Sequence, residues 1–253
     1  MIIDILTIFP GMVAGPIRES IIGKAIERKL IDIRVINIRE YAVDTHRTTD
    51  DRPFGGGSGM VMKPEPLAAS IGSVRENDPT ARVILLSPQG RLFDQKIAFE
   101  LSRLNHICLV CGRYEGVDER IRNHYVDDEI SIGDYVVTGG ELPALVIVDA
   151  VARLLPGVLG SDESLIEESF TTGLLEYPQY TRPEIFESHR VPDILLSGNH
   201  GAIQRWRRQQ ALFRTWQRRP DLLNNDELSS EDKQLLAEEI ENKKDLGIEK
   251  PGN

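Results

Sequence analysis

With 253 residues, a hydrophobic share of 40% and a charged share of 28%, the chain has the composition of a soluble globular protein and the length for one large domain and one small one. No apolar run approaches the roughly 18 residues of a membrane span, which excludes a membrane-spanning helix. The net charge of −10 argues, by its sum, against a nucleic-acid partner.

The first segment, MIIDILTIFPGMV, is apolar but opens with no basic region and carries Asp4. It therefore reads as a buried first strand rather than a signal peptide, and the protein as cytoplasmic. Strand-like runs IIDILTI (2–8), DIRVINI (32–38), RVILLS (82–87) and HICLVCG (106–112) alternate with ESIIGKAIERKL (19–30) and DQKIAFELSRL (94–104), which have helical period. That alternation predicts an α/β domain with a largely parallel sheet. Cys108 and Cys111 form a C-x-x-C inside the last strand run, where strand alternation sends them to opposite faces. No second cysteine pair exists to complete a zinc site, so both read as small packing residues and no metal is assigned.

Three glycine-bearing loops face a ligand if any do: RPFGGGSGM (52–60), LLSPQGRLF (85–93) and SIGDYVVTGGELPAL (131–145). None carries the G-K-[ST] ending that holds a triphosphate, and none fits the G-x-G-x-x-G dinucleotide fingerprint. Open α/β sheets bind ligands at the carboxyl ends of their strands. LSPQG and CGRYEGVDER follow two predicted strands there, and Gly139-Gly140 ends a third. Walls of backbone amide, glycine and a few apolar side chains suit a flat adenine and a neutral ribose better than a polyphosphate.

ELPALVIVDAVARLL (141–155) predicts an apolar helix stopped by Pro156-Gly157. The polar stretch 161–173 reads as a linker between a domain over 1–160 and a second over 174–246, with 247–253 as a tail. Ser197-Gly198-Asn199 is a helix start signal, so the second domain is expected to be small and helical. RWRRQQALFRTWQRRP (205–220) holds six Arg and no acid, whereas the residues after it are strongly acidic. A uniform solvated face would mix the signs, so the Arg cluster is a candidate RNA-phosphate surface, while Trp206, Phe213 and Trp216 at helical spacing read as core.

GRYEGVDER, SIGDYVVTGGELPAL, VARLLPGVLG, GLLEYPQYTRP and LLSGNHGAIQRWR, in that order, resemble the bacterial tRNA (guanine-37-N1)-methyltransferase family of the SPOUT superfamily. The match runs from IDILTIFPGM near the start to about Pro220. It implies an α/β fold with a SPOUT-type parallel sheet tied in a deep trefoil knot, a small C-terminal all-helical domain, and a homodimer with its active site at the subunit interface. Periodicity alone would have led to an unknotted sheet. The resemblance implies S-adenosylmethionine bent in the knotted pocket, on Leu86, Ser87, Pro88, Gln89, Gly112, Tyr114, Glu115, Ser131, Ile132, Gly133, Tyr135, Val137, Gly139, Gly140 and Pro143. It also implies a magnesium dependence, for which the sequence assigns no ligands.

The implied substrate is guanosine 37 of tRNAs with guanosine at 36. Guanine N1 keeps its proton at neutral pH, so methylation there needs a base near N1 and a cation near O6. The resemblance assigns the cation to Arg153, ahead of PGVLG, and the base to Glu168 in EESF, where the family pattern has Asp. His46, Arg47 and Asp50 match a block that touches the flipped base or orders the dimer. Tyr180 and Arg182 in YPQYTRP, with Arg205, Arg208 and Arg214, are expected to face the RNA. An anticodon-loop base is already near single-stranded, so exposing it costs little. A nucleic-acid-binding regulator with an adenosine-type effector pocket is the rival reading; it leaves Arg153 and the acidic linker without a purpose. A nicotinamide-dependent oxidoreductase fails on the missing fingerprint.

Overall fold

The computed structural model describes residues 1–159, 168–223 and 228–245. The chain divides into two compact units, Met1–Asp162 and Glu163–Asn253. In chain order the strands of the first unit are β1 (Ile2–Thr7), β2 (Asp32–Asn37), β3 (Asp50–Asp51), β4 (Val61–Met62), β5 (Arg82–Leu92), β6 (His106–Cys111) and β7 (Asp128–Ser131). Its helices are α1 (Gly11–Ala14), α2 (Ser20–Glu27), α3 (Pro64–Asn77), α4 (Gln95–Ser102), α5 (Glu119–Tyr125) and α6 (Glu141–Ala152).

Five strands form one sheet in the order β2-β1-β6-β5-β7, every neighbouring pair parallel, as the strand–helix alternation predicts. Side chains of Ile5, Ile84, Leu86, Leu109 and Cys111 pack on one face with Ala25 of α2, Ala98 of α4 and Ile147 and Val151 of α6. Their neighbours Val83, Leu85, Cys108 and Val110 pack on the other with Leu67 and Ile71 of α3 and Ile121 of α5. The two-residue period thus builds two apolar layers around one sheet. Each fully buried Leu or Ile contributes about 1.5–3 kcal/mol of hydrophobic stabilisation. Cys108 and Cys111 fall into different layers, and burial raises both thiols far above their ordinary range, so they stay protonated packing residues.

Two strand expectations change. RVILLS extends to Leu92, with an irregularity after Leu86. DYVVTGG is not a strand. β7 lies earlier, at Asp128–Ser131, and Gly139-Gly140 precedes α6. A strand opening Asp-Glu runs against propensity, but Asp128 sits at the sheet edge with Arg91 Nη2 at 2.8 Å, and that pairing offsets the cost.

The second unit contains α7 (Asp193–Leu196), α8 (His200–Arg218) and α9 (Ser230–Asp245), together with an antiparallel hairpin of β8 (Ile185–Phe186) and β9 (His189–Arg190). The hairpin corrects the expectation of helices alone. α8 starts at the predicted signal: Asn199 Oδ1 accepts from the Ala202 N–H at 3.1 Å. Its core joins Leu174, Leu212, Phe213, Leu235 and Leu236, with Trp216 packed against them. Most of the stretch expected as a linker, and all of the tail, lie outside the described residues. Of the linker, residues 168–173 form turns closed by the Thr171 N–H on the Glu168 carbonyl at 3.3 Å and the Gly173 N–H on the Phe170 carbonyl at 3.3 Å. Among the described residues no helix is long and apolar enough to cross a membrane.

Candidate functional site

The carboxyl ends of β5, β6 and β7 open into a cavity of about 290 Å3. β5 leaves its register after Leu86, and residues 87–90 loop out before Arg91 and Leu92 rejoin β7. A Cβ at Gly90 would collide with the Glu129–Ile130 backbone, so only glycine permits that return. Past β6, a turn with Tyr114 at φ 59° and Gly116 at φ 128° closes through the Gly116 N–H on the Arg113 carbonyl at 3.1 Å. Past β7, residues 132–140 cross the end of β5 to reach β6, where the Gly140 N–H donates to the Gly112 carbonyl at 2.9 Å.

All fifteen residues expected to hold the cofactor line this one cavity. The paired glycines have a structural reason. A Cβ at Gly140 would stand 2.6 Å from Cys111 Cα and 3.0 Å from the Gly112 nitrogen, both backbone atoms, and a Cβ at Gly139 would overlap the Arg113 side chain. Bare backbone there lets one wall of the cavity lie flat on the end of β6. Gly140→Ala is expected to push that wall outward, costing about 1–3 kcal/mol of stability and weakening at least tenfold, by calorimetric titration, the binding of the S-adenosylmethionine that the family resemblance implies. Wild-type affinity in that variant would mean the crossing segment is not part of the binding surface.

Sequence reasoning missed the polar tie that holds this wall. Glu141, at the first turn of α6, has no exposed surface, and its carboxylate accepts from Thr7 Oγ1 at 2.6 Å and Arg113 Nε at 2.9 Å. Arg113 Nη1 donates to the Thr138 carbonyl at 3.1 Å, and the guanidinium lies 4.6 Å from the Phe9 ring centroid. A negative charge at the first turn also suits the helix dipole. Arg113 therefore pairs with neither Glu115 nor Asp118, its acidic neighbours in sequence. Asp118 instead takes Arg120 through two hydrogen bonds of 2.8 and 2.7 Å, which hold its carboxyl below the usual range. Glu115 and Arg122 also line the cavity. Arg122 donates to Gln89 Oε1 and lies 3.4 Å from Glu129. No sequence signal pointed to Arg122, because α5 itself was not foreseen.

The remaining expected residues are spread over both units. Arg153 follows α6, its N–H donating to the Asp149 carbonyl at 3.3 Å, and is half-buried. Glu168 belongs to the second unit and is also half-buried, while its neighbour Glu167 lies outside the described residues. His46 and Arg47 are exposed, and Asp50 opens β3. Tyr180 and Arg182 are exposed in the second unit. Arg205, Arg208 and Arg214 sit on α8, where the acidic segment turns out to be the counter-charge of the first two. Arg208 makes a two-point pair with Asp232 at 2.7 and 3.0 Å, Arg205 reaches Glu238 at 3.2 Å, and Arg214 reaches the Glu176 carbonyl at 3.5 Å. The Arg208 pair holds the Asp232 carboxyl below its usual range. Among the described residues no group of three or more His, Cys, Asp or Glu is arranged to hold a metal, and magnesium is given no ligands.

A family model described as tRNA (Guanine-1)-methyltransferase TrmD matches residues 1–225. The chain is 60% identical over 236 residues to the tRNA (guanine-N(1)-)-methyltransferase of Dictyoglomus turgidum, which covers 93% of this chain and 95% of that relative. It is 59% identical over 234 residues to the protein of the same name from Geobacter sulfurreducens, with 92% and 96% covered. For the one from Geobacillus kaustophilus the identity is 56% over 238 residues, with 94% and 98% covered.

Proposed function

The chain belongs to the tRNA (guanine-1)-methyltransferase family, and from that premise we propose that it transfers the methyl group of S-adenosylmethionine to N1 of guanosine 37 in tRNAs with guanosine at 36. The observation that carries the cofactor assignment is the convergence of the fifteen residues that the resemblance implies, from three stretches far apart in the chain, on one cavity at the carboxyl ends of three parallel strands. The lining fits that group: the glycine backbone at Gly112 and Gly140 leaves a flat slot, Leu86, Ile132, Val137 and Pro143 offer apolar surface to a base, and Glu115 offers a carboxylate to a cation.

When bound, S-adenosylmethionine supplies a methyl group on a sulfonium, an electrophile needing no further activation. The chain has to supply the nucleophile. In this reading the Glu168 carboxylate would take the N1 proton, leaving N1 as a nucleophile for the methyl group that the cofactor would supply, and Arg153 would stabilise the negative charge that develops on O6. Tyr180, Arg182, Arg205, Arg208 and Arg214 contact the RNA, and His46, Arg47 and Asp50 attend the target base. Because Arg205 and Arg208 already have carboxylate partners, phosphate contact there exchanges one anion for another rather than neutralising a bare charge. The trefoil knot belongs to the same proposal, supported by the crossing of residues 132–140 over the end of β5, as does a cytoplasmic location beside the tRNA pool.

A homodimer completes the reading. α6 is apolar apart from Glu141 and Asp149, and on it Leu142 and Val146, one turn apart, are about half exposed, at 51% and 46%. An apolar helix stripe left in water is what a second copy would cover. Leu142→Glu is expected to sediment as a monomer where the wild type sediments as a dimer; unchanged sedimentation would move the interface elsewhere. The activity itself is tested by incubating the protein with labelled S-adenosylmethionine and a tRNA transcript bearing guanosines at 36 and 37. Label is expected on N1 of guanosine 37, and a transcript with adenosine at 37 should take none. Silence with the first transcript, or label on both, overturns the assignment.

A further inference from the structure

The loop between β3 and β4 holds the most exposed large apolar side chain among the described residues. Phe54 is 102% exposed, as open as in an extended chain. The Gly56 N–H donates to the Pro53 carbonyl at 3.3 Å, which puts Phe54 at the corner of a turn. Gly55, with φ 85°, occupies the positive-φ position that a type II turn requires. A ring held there contributes nothing to the folding of this chain, since it removes no apolar surface from water.

The base of this loop is fixed at the rim of the cavity. The Glu115 N–H donates to the Met60 carbonyl at 2.9 Å, the Met62 N–H to the Gly116 carbonyl at 2.9 Å, and the Asp118 N–H to the Met62 carbonyl at 3.1 Å. Met62 and Val117 also form a parallel bridge. Glu115, Gly116 and Val117 all line the cavity. The loop is therefore an arm anchored on the pocket mouth with an aromatic ring at its corner.

The surroundings of the ring select its ligand. It is followed by Gly55, Gly56 and Gly57, and no atom lies within 4 Å of where a Cβ would stand at any of the three. Arg52, two residues before the ring, is exposed. A protein partner needs a contiguous apolar patch of several side chains. One π-face beside bare peptide, with the Arg52 guanidinium two residues away, instead suits a single-stranded nucleobase with its sugar and phosphate. We infer that Phe54 is a stacking platform for an unpaired base next to the methylated guanosine, holding the loop of the RNA open at the cavity mouth.

This rests on the methyltransferase reading, and its test separates the two. Phe54→Ala, Phe54→Leu and Phe54→Tyr are compared with wild type for single-turnover methylation of the guanosine-36, guanosine-37 transcript, for transcript Kd, for S-adenosylmethionine Kd, for Tm and for sedimentation. Ala and Leu are both expected to weaken transcript binding on the order of tenfold or more, and Tyr to restore it. Cofactor Kd, Tm and sedimentation should stay at wild-type values in all three. Wild-type binding by Phe54→Leu overturns the inference, because an apolar contact without a π-face would then suffice. A shift to monomer in Phe54→Ala also overturns it, assigning the ring to contact between copies of the chain. A wild type that binds the transcript but does not methylate it defeats the proposed reaction, while the Ala, Leu and Tyr series still decides the stacking role.

Discussion

Glu168→Gln is expected to lower the single-turnover rate of methyl transfer by on the order of 10²-fold or more while leaving S-adenosylmethionine binding intact. The amide has nearly the shape of the carboxylate but cannot accept the N1 proton, so ground-state contacts persist and only the proton transfer is lost. Arg153→Ala should slow the same step, since charge reaching O6 would meet no cation. The informative third variant is Glu168→Asp. Glu places its carboxylate one methylene further from the backbone than the Asp of the family pattern, and a misplacement of about 1 Å can cost on the order of 10²-fold. If the backbone around Glu168 has settled to suit the longer side chain, Glu168→Asp will be slower than wild type; if not, it will be faster. Near wild-type rate in Glu168→Gln would transfer the base role elsewhere, first to Glu167. Activity lost in parallel with cofactor binding would instead make Glu168 a binding residue.

How much of the fold and of the site is legible in the amino-acid sequence depends on the range of the interactions involved. The sheet is legible because burial on both faces leaves a local trace, and the separation of Cys108 from Cys111 follows from strand alternation alone. β7 is misplaced by sequence because Tyr135, Val136 and Val137 carry strand propensity. The true strand opens with Asp128 and Glu129, whose charges are offset by Arg91 and Arg122 from elsewhere in the chain. Propensity sees neighbours in sequence and cannot see those partners. The same blindness makes the acidic stretch after Pro220 look unrelated to the Arg cluster. In the structure Asp232 and Glu238 of α9 face Arg208 and Arg205 of α8. Glycine loops at strand ends imply a flat ligand, but only family resemblance names the fifteen lining residues, because the crossing of residues 132–140 onto β6 joins positions far apart in the chain. Glu141 passes as the polar first residue of an apolar helix, and Phe54 as one letter of a glycine-rich loop.

Glu141 is where the second large effect is expected. Arg113→Ala should lower stability by about 3–5 kcal/mol, because it leaves a fully buried carboxylate with the Thr7 hydroxyl as its remaining hydrogen-bond donor. Glu141→Gln should cost less, since an amide oxygen still accepts from Thr7 or Arg113 and no buried anion is stranded. The decisive variant removes both partners. Arg113→Met combined with Glu141→Leu carries no unpaired charge and should recover most of the stability in chemical denaturation. It should not recover S-adenosylmethionine affinity. Without Arg113 the Thr138 carbonyl loses its donor, and without the Arg113–Glu141 pair only the backbone contacts of Gly139 and Gly140 tie the crossing segment to the end of β6. Stability and binding would then separate, which is the signature of a pair that positions the cavity wall beyond what it contributes to folding. If affinity returns together with stability, the pair is only a packing element and Gly140 with its backbone contacts holds the wall unaided.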